Sequence, residues 1–221
     1  MLEEKVRRIR EILDRESAPW GRSPRLIAVT KYASPDQILP LAALGVTDIG
    51  ENRVQVLREK LPFLQEKFSI HLIGRLQTNK VKYIIKDVSM IHSLDSLPLA
   101  LEIDRQAQKA NRRMPVLVQV NIAKEPQKGG VAEEDLIPFL RDCAPLPGVQ
   151  VKGLMAIMPL GAERDALYAL FVRMRRLLDQ CRQEAIDRTD MTELSMGMSQ
   201  DYDLAARAGA TMVRVGSALF R

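Results

Sequence analysis

The most constraining feature of this sequence is an alternation, repeated along the chain, of short apolar runs with longer helical patterns. Several runs, such as 26–29 and 116–118, are continuously apolar, as strands buried on both faces of a parallel sheet should be. The pattern predicts strands at residues 26–30, 46–49, 69–73, 89–92, 116–122, 149–155, 192–194 and 212–215. Helical patterns lie between them at residues 35–44, 52–67, 79–86, 97–110, 133–143, 164–187 and 200–208. Eight such units predict a parallel sheet that closes into a (β/α)8 barrel of the TIM type.

The two ends of the first predicted strand refine this fold. An extra helix is predicted before the strand from the apolar stripe Leu2, Val6, Ile9 and Leu13. An open doubly wound sheet is the competing topology, and its usual mark is a GxGxxG turn after the first strand. Residues 31–35 follow that strand and contain no glycine, which favours the barrel. No low-complexity linker divides the 221 residues, so we predict a single domain over residues 1–221.

The charge balance limits the classes of partner. A net charge of +5, from 33 basic and 28 acidic residues, raises the question of nucleic acid. The basic runs at 7–10, 112–113 and 173–176 are dispersed, and aromatic residues do not interleave with them, so we expect no nucleic-acid binding. No apolar run approaches the ~18 residues of a membrane helix, and the N-terminus does not resemble a secretory signal. We therefore expect a cytoplasmic protein with no membrane partner.

Metal binding is not expected. The two cysteines, Cys143 and Cys181, are far apart and belong to no Cys/His cluster. The two histidines, His71 and His92, have no partner at the spacing of metal ligands. Cys181 extends an apolar helix stripe, which favours a buried structural thiol.

A lone lysine, Lys31, follows the first strand where that strand would open into the mouth of the barrel. Active-site groups of such barrels sit at the C-terminal ends of the strands. Burial in the mouth would favour the neutral amine, which is the form that attacks an aldehyde. A solvated loop lysine is the alternative interpretation, and Lys124 and Lys128, after the fifth strand, are rival candidates. Lys152 interrupts the sixth strand and is predicted to point outward.

Two glycine-marked turns follow the seventh and eighth strands. Ser199 stands where the helix over 200–208 should begin, so we predict that it caps that helix, whose free N–H groups also form an anion site. Gly216 and Ser217 would present a backbone amide and a hydroxyl to the same phosphate. Two acids in the first turn of that helix, Asp201 and Asp203, count against this because they would repel a phosphate. A lysine after strand one and two phosphate-sized turns predict an aldehyde cofactor with a phosphate, pyridoxal 5′-phosphate (PLP).

A charged side chain inside the eighth strand requires a partner. Arg214 lies two residues before Gly216 and should face the same side of the strand. A cofactor ring nitrogen is one interpretation of that partner. An internal carboxylate such as Glu51 is the other.

Seven sequence blocks amount to a resemblance that covers nearly the whole chain. They are AVTK at 28–31, GENRVQ at 50–55, HLIGRLQTNK at 71–80, HSLD at 92–95, GLM at 153–155, LSMGMS at 194–199 and residues 211–220. In this order they resemble the pyridoxal phosphate homeostasis protein family. That family is similar to the barrel domain of alanine racemase and lacks its second domain. The resemblance implies a role in keeping intracellular PLP available yet controlled, without established catalysis.

The resemblance also implies a set of cofactor-binding positions. These are Lys31 for the imine with the cofactor, Arg214 near the pyridine nitrogen, Ser199, Gly216 and Ser217 at the phosphate, and Asn52 and His71 lining the pocket. Two departures from the family pattern, Tyr32 and Gly129, lie beside the expected motifs and leave the lysine assignment intact.

An arginine at the pyridine nitrogen favours a carrier over a catalyst. A cationic partner disfavours protonation of that nitrogen, so the ring becomes a poorer electron sink. The alternative is a PLP-dependent amino-acid racemase with Tyr32 or His92 as a second proton relay. A third hypothesis is a barrel that binds another phosphorylated metabolite. We expect a monomer, with PLP-dependent apoenzymes as candidate partners.

Overall fold

The computed structural model describes residues 1–125 and 129–221. Within them, eight parallel strands follow one another in sequence order and close into a barrel in which the last strand pairs with the first. The strands are β1 (Arg25–Val29), β2 (Asp48–Glu51), β3 (Ser69–Leu72), β4 (Met90–Leu94), β5 (Met114–Gln119), β6 (Val149–Met155), β7 (Thr189–Ser195) and β8 (Met212–Val215). The predicted (β/α)8 barrel is confirmed.

The helices surround this barrel. They are α1 (Leu2–Ser17), α2 (Pro35–Ile38), α3 (Pro40–Ala43), α4 (Val54–Leu64), α5 (Leu97–Lys109), α6 (Leu136–Cys143), α7 (Arg164–Gln183), α8 (Tyr202–Arg207) and α9 (Ser217–Phe220). The helix predicted over 35–44 is divided at Pro40, which lacks the N–H that a continuous helix needs. The helix predicted over 79–86 is a 3₁₀ segment, Thr78–Tyr83.

The apolar core has two separate parts. The larger part lies between the strands and the helices, and it includes the buried stripe of α1. A small separate cluster consists of Ile27, Met90, Leu117, Met155 and Met212. Because successive side chains of a strand alternate between its two faces, Arg214 and Gly216 share a face with Met212, inside the barrel.

The N-terminal helix supports the end of the barrel sheet. Helix α1 packs against α8 and α9, the helices that flank β8 in the sequence. Its Lys5 amine donates a hydrogen bond to the Leu219 carbonyl in α9 at 3.4 Å. Among the described residues, no helix is both long and apolar enough to cross a membrane.

Candidate cofactor site

The C-terminal ends of three neighbouring strands bring the central site candidates to one rim. Strand β1 pairs with β2 on one side and with β8 on the other. Lys31 follows β1, Asn52 follows β2, and Gly216 follows β8. The closed barrel therefore places these three predicted residues on adjacent strands at the mouth.

The Lys31 side chain is exposed, so the burial that we expected for its amine is wrong. Strand β1 ends at Val29, and the chain turns at Lys31 and Tyr32, which carries the amine out of the barrel interior. The amine lies 5.0 Å from the centre of the Tyr32 ring, which is itself 82% exposed. Among the described residues, it forms no ion pair or hydrogen bond.

A buried polar cluster fixes the backbone just before Lys31. The Thr30 hydroxyl donates to Glu51 Oε1 at 2.7 Å, and the Thr30 N–H donates to the Gly50 carbonyl at 3.0 Å. The Lys60 amine, on α4, donates to the Thr30 carbonyl and to Glu51 Oε1, both at 2.7 Å. Glu51 is only 1% exposed and is committed to this cluster, so it is not the partner of Arg214. Sequence reasoning missed this cluster, because it joins the end of β1 to β2 and to a lysine two turns into α4, and no short motif contains all three residues.

The turn after β7 reaches across to the turn after β8. The Ser199 hydroxyl oxygen accepts hydrogen bonds from the Gly216 N–H at 3.0 Å and from the Ala218 N–H at 3.3 Å. The predicted role of Ser199 as the cap of the following helix is therefore wrong. Helix α8 begins at Tyr202, and its Ncap residue is Asp201.

The acids of this turn have partners of their own. Asp201 Oδ1 accepts a hydrogen bond from the Met198 N–H at 2.6 Å. Burial of Asp201 raises the pKa of its carboxyl group. The Asp203 carboxylate forms an ion pair with Arg164. Both interactions weaken the objection that these acids would repel a phosphate.

The Ser199 turn has the chemistry that a phosphate group requires. Two backbone N–H groups already converge on a single oxygen, which is the arrangement that anion sites at chain turns use. Gly216 lies close to β1, because a Cβ atom there would be tightly placed, 3.1 Å from Val29 Cβ and 3.2 Å from the Val29 carbonyl oxygen. Ser217, the first residue of α9, is exposed beside them.

Arg214 is buried inside the barrel under this turn. Its guanidinium donates to the Ser195 hydroxyl at 2.6 Å and to the Ala156 carbonyl at 2.8 Å. Burial lowers the pKa of Arg214 to about 10, and the nearby charge of Asp201 opposes that change. Both observed partners are uncharged, so the positive charge of this arginine is not neutralised by a contacting carboxylate.

A chain of hydrogen bonds continues from Arg214 through the barrel. Ser195 Oγ lies 3.0 Å from His92 Nδ1, and His92 Nε2 lies 2.9 Å from His71 Nδ1. His71 Nε2 lies 2.9 Å from Asp48 Oδ1. If each ring carries one proton, a single direction of donation from Arg214 toward Asp48 satisfies every atom of this chain.

The acid–base properties of the chain follow from its burial. Burial lowers the pKa of His92 well below its ordinary value, and the charges of His71 and Arg214 act in the same direction. Burial works to raise the pKa of Asp48, but the hydrogen bonds from His71 and Thr47 outweigh it and lower the pKa. His92 is fully buried with both ring nitrogens bonded, so it does not face the mouth as the racemase alternative requires.

The structure locates the remaining candidates as follows. His71 is 2% exposed within the hydrogen-bonded chain, so its contact with a cofactor stays a prediction. Lys124 lies 3.8 Å from Glu134 in an ion pair, and Lys128 lies outside the described residues. Lys152 forms an ion pair with Asp190 at the outside of the barrel, as predicted.

Comparison with known proteins identifies the family. The chain matches the alanine racemase N-terminal domain family over residues 2–221. It is 38% identical over 221 residues to the pyridoxal phosphate homeostasis protein of Aquifex aeolicus, covering 98% of this chain and 96% of that protein. The chain belongs to the pyridoxal phosphate homeostasis protein family. A family member from Deinococcus radiodurans is 40% identical over 197 residues, covering 89% of this chain and 88% of that protein.

Solved structures agree with this family assignment. The structure of PipY from Synechococcus elongatus without PLP superposes with a TM-score of 0.91 at 35% identity, and each chain is covered completely. The structure of PipY with PLP bound gives a TM-score of 0.89 at 34% identity, again with complete coverage of both chains. Alanine racemase from Corynebacterium glutamicum shares the fold, with a TM-score of 0.69 at 16% identity over 99% of this chain and 60% of that chain.

Proposed function

We propose that this protein binds pyridoxal 5′-phosphate through Lys31 and takes part in intracellular PLP homeostasis as a carrier of the cofactor. The family's name and the PLP-bound structure of PipY support the ligand. We take residues 1–221 as one cofactor-binding domain. A cytoplasmic monomer that exchanges PLP with apoenzymes is part of the same proposal.

One observation carries the assignment most strongly. A free lysine amine and an oxygen held by two backbone N–H groups occur on adjacent strands, β1 and β8, at one rim of the barrel. An aldehyde that carries a phosphate needs these two groups, an amine and an anion site, at its two ends. The aldehyde carbon of PLP supplies the electrophile that a neutral lysine amine attacks.

Each proposed contact residue has a distinct task. Lys31 bonds to the aldehyde carbon, while Ser199, Gly216 and Ser217 hold the phosphate. Arg214 would contact the pyridine nitrogen, and hydrogen bonds to Ser195 and Ala156 fix the position of its guanidinium. In this proposal, Asn52 and His71 line the pocket between these points.

The environment of Arg214 favours a carrier. A guanidinium has no acceptor to offer a ring nitrogen proton, so Arg214 favours the unprotonated ring. A racemase also needs a second acid or base that faces the mouth; His92 is buried away from it, which leaves Tyr32, exposed beside Lys31, as the one predicted relay.

The test is an absorbance titration of the purified protein with PLP. We expect an imine band for the native protein and for the control variant Lys124→Ala, and no band for Lys31→Ala. A band that persists in Lys31→Ala would remove the assignment. Exchange of the α-hydrogen of added amino acids for deuterium would instead support the racemase alternative.

A further inference from the structure

A second concave region lies at the mouth, beside the proposed PLP site. This region, here called the rim groove, has a volume of about 740 Å³ and is lined by residues that follow β2, β3 and β4. Its basic residues are Arg53, Arg75 and Lys80, and Asn52 forms part of its wall. Because Asn52 follows β2, the strand next to β1, the groove opens one strand away from Lys31.

The cations of the rim groove have no carboxylate partners. Within residues 1–125 and 129–221, the side chains of Arg53, Arg75 and Lys80 form no ion pair, although all three are exposed. Elsewhere on the surface of the described chain, some exposed arginines are paired, as in Arg141–Glu184 and Arg207–Glu16, and others, such as Arg8 and Arg22, form no ion pair. The feature particular to the groove is that three such cations line one concavity, where their charges are available to a ligand.

Close backbone contact brings the cations together. A Cβ atom on Gly74 would lie 2.2 Å from the Asn52 carbonyl oxygen, so only glycine allows the ends of β2 and β3 to approach this closely. Arg53 and Arg75 are the next residues in the two segments. Their proximity is therefore built into the backbone, at the cost of one obligatory glycine.

Neutral donors and a neighbouring ring complete the groove. The side chains of Gln77, Thr78 and Asn79 line it and can donate hydrogen bonds to oxygen. The Lys80 and Lys82 amines lie 5.9 Å and 4.9 Å from the centre of the Tyr83 ring. Lys82 therefore extends the positive surface beyond the groove. One carboxylate, Asp95, also lines the groove, so cations exceed acids there by two.

We propose that the rim groove is a second, non-covalent site for phosphate monoesters, which captures PLP before Lys31 binds it. This inference rests on the proposed function. Arginine forks match phosphate oxygens, and amide and hydroxyl donors complete the coordination of a dianion. The volume of the groove lies in the range of about 300–1,000 Å³ that is usual for small-ligand sites. A positive rim beside the mouth also raises the local concentration of an anionic ligand and its association rate.

The binding test uses protein whose Lys31 site is already filled. Native protein is loaded with PLP, reduced with borohydride, and titrated with pyridoxine 5′-phosphate, inorganic phosphate and pyridoxine in a calorimeter. We expect pyridoxine 5′-phosphate to bind as one further equivalent, at least as tightly as inorganic phosphate, and pyridoxine not to bind. The triple variant Arg53→Gln/Arg75→Gln/Lys80→Gln should bind the phosphate ester at least tenfold more weakly.

The matched control removes three exposed arginines that lie elsewhere and also form no ion pair with any described residue, Arg8→Gln/Arg22→Gln/Arg176→Gln. In stopped-flow experiments at low salt, we expect PLP to associate roughly tenfold more slowly with the groove variant than with this control. The difference should shrink at high salt, because exposed charges are screened.

Two results would overturn the inference while leaving the proposed function intact. The first is an imine band at Lys31 with no further equivalent of pyridoxine 5′-phosphate. The second is equal association rates for the groove and control variants. Failure of the imine band in the native protein would instead remove the proposed function itself.

Discussion

The two anion-attracting regions at the mouth of this barrel are built in opposite ways. On the β7–β8 side, the Ser199 oxygen is held by backbone N–H groups, and a buried arginine lies beneath it. In the rim groove, exposed side chains supply the charge, and the three cations form no ion pair in the described chain. The first region is ordered by packing before a ligand arrives, whereas the second relies on long-range attraction.

This difference suggests a division of labour between capture and retention. Backbone donors in a close-packed turn lose little freedom when they bind, so they suit tight holding. Exposed cations attract an anion from solution but are screened by salt and hold it weakly. A carrier requires both steps, and the two regions lie on either side of Lys31.

The largest effect is expected at Gly197, in the preformed turn. Its φ angle is +88°, and a Cβ atom would lie 2.5 Å from Ala205 Cβ. The backbone cost of about 1–2 kcal/mol and an overpacking cost of about 1–3 kcal/mol predict that Gly197→Ala lowers the free energy of unfolding by roughly 2–5 kcal/mol. Thermal unfolding should show a Tm lower by about 5–15 °C.

Gly21→Ala is the matched control for this substitution. Gly21 also has a positive φ, +67°, but a Cβ atom there would meet nothing within 4 Å. It should lose only the backbone cost of about 1–2 kcal/mol. Equal losses at the two glycines would contradict the claim that the β7–β8 turn is tightly packed.

The next effect is expected at Ser199. The substitution Ser199→Ala removes the oxygen that orients the Gly216 and Ala218 N–H groups. The phosphate of PLP would then lose a hydrogen bond at this turn. Loss of a hydrogen bond to a charged group should weaken PLP binding about tenfold, which a titration measures. Pyridoxal, which has no phosphate, should bind both proteins equally, and a tenfold loss for pyridoxal as well would show that Ser199 acts on the fold and not on the phosphate.

A smaller effect concerns pH and the chain beneath Arg214. Burial lowers the pKa of His92 well below 6.5, so below about pH 6.5 the unfolded protein takes up a proton that the folded protein does not. The free energy of unfolding should therefore fall on acidification, by about 1 kcal/mol between pH 6.5 and 5.5. Urea denaturation at several pH values should show this fall in the free energy of unfolding for the native protein. The variant His92→Gln should not show it. Parallel pH curves for the two proteins would exclude His92 as its source.

The smallest effect on stability is expected in the rim groove. Its three cations make no ion pair in the described chain, so the triple glutamine variant should unfold within about 0.5 kcal/mol per substitution of the native protein. Chemical denaturation checks this directly. A loss above roughly 2 kcal/mol would show that these cations hold the fold together, which would end the contrast with the β7–β8 turn.

Much of the barrel could be predicted from the sequence, because its strands are short apolar runs. The bounds of β6 and β8 agree with the predicted 149–155 and 212–215. Strand β2 was predicted two residues early, because its charged ends, Asp48 and Glu51, do not look like buried strand positions. Both are buried with partners: Asp48 bonds to His71 on β3, and Glu51 bonds to Lys60 on α4, the helix that follows β2.

The two mouth regions also differ in how far the sequence could predict them. Ser199 and Gly216 stand in short glycine-marked motifs at strand ends, so they could be selected, although the hydrogen bond between them spans 17 residues and was missed. Arg53 follows β2, whereas Arg75 and Lys80 follow β3, and the groove that joins them follows only from the pairing of these strands. Their lack of ion-pair partners in the described chain is visible only in the structure.

The most direct test of the central claim is to trap PLP on the native protein with borohydride and map the modified peptide by mass spectrometry. We predict one reduced adduct, on Lys31, at one equivalent of PLP. An adduct on Lys124 or Lys80, or one spread over several surface lysines, would contradict the account.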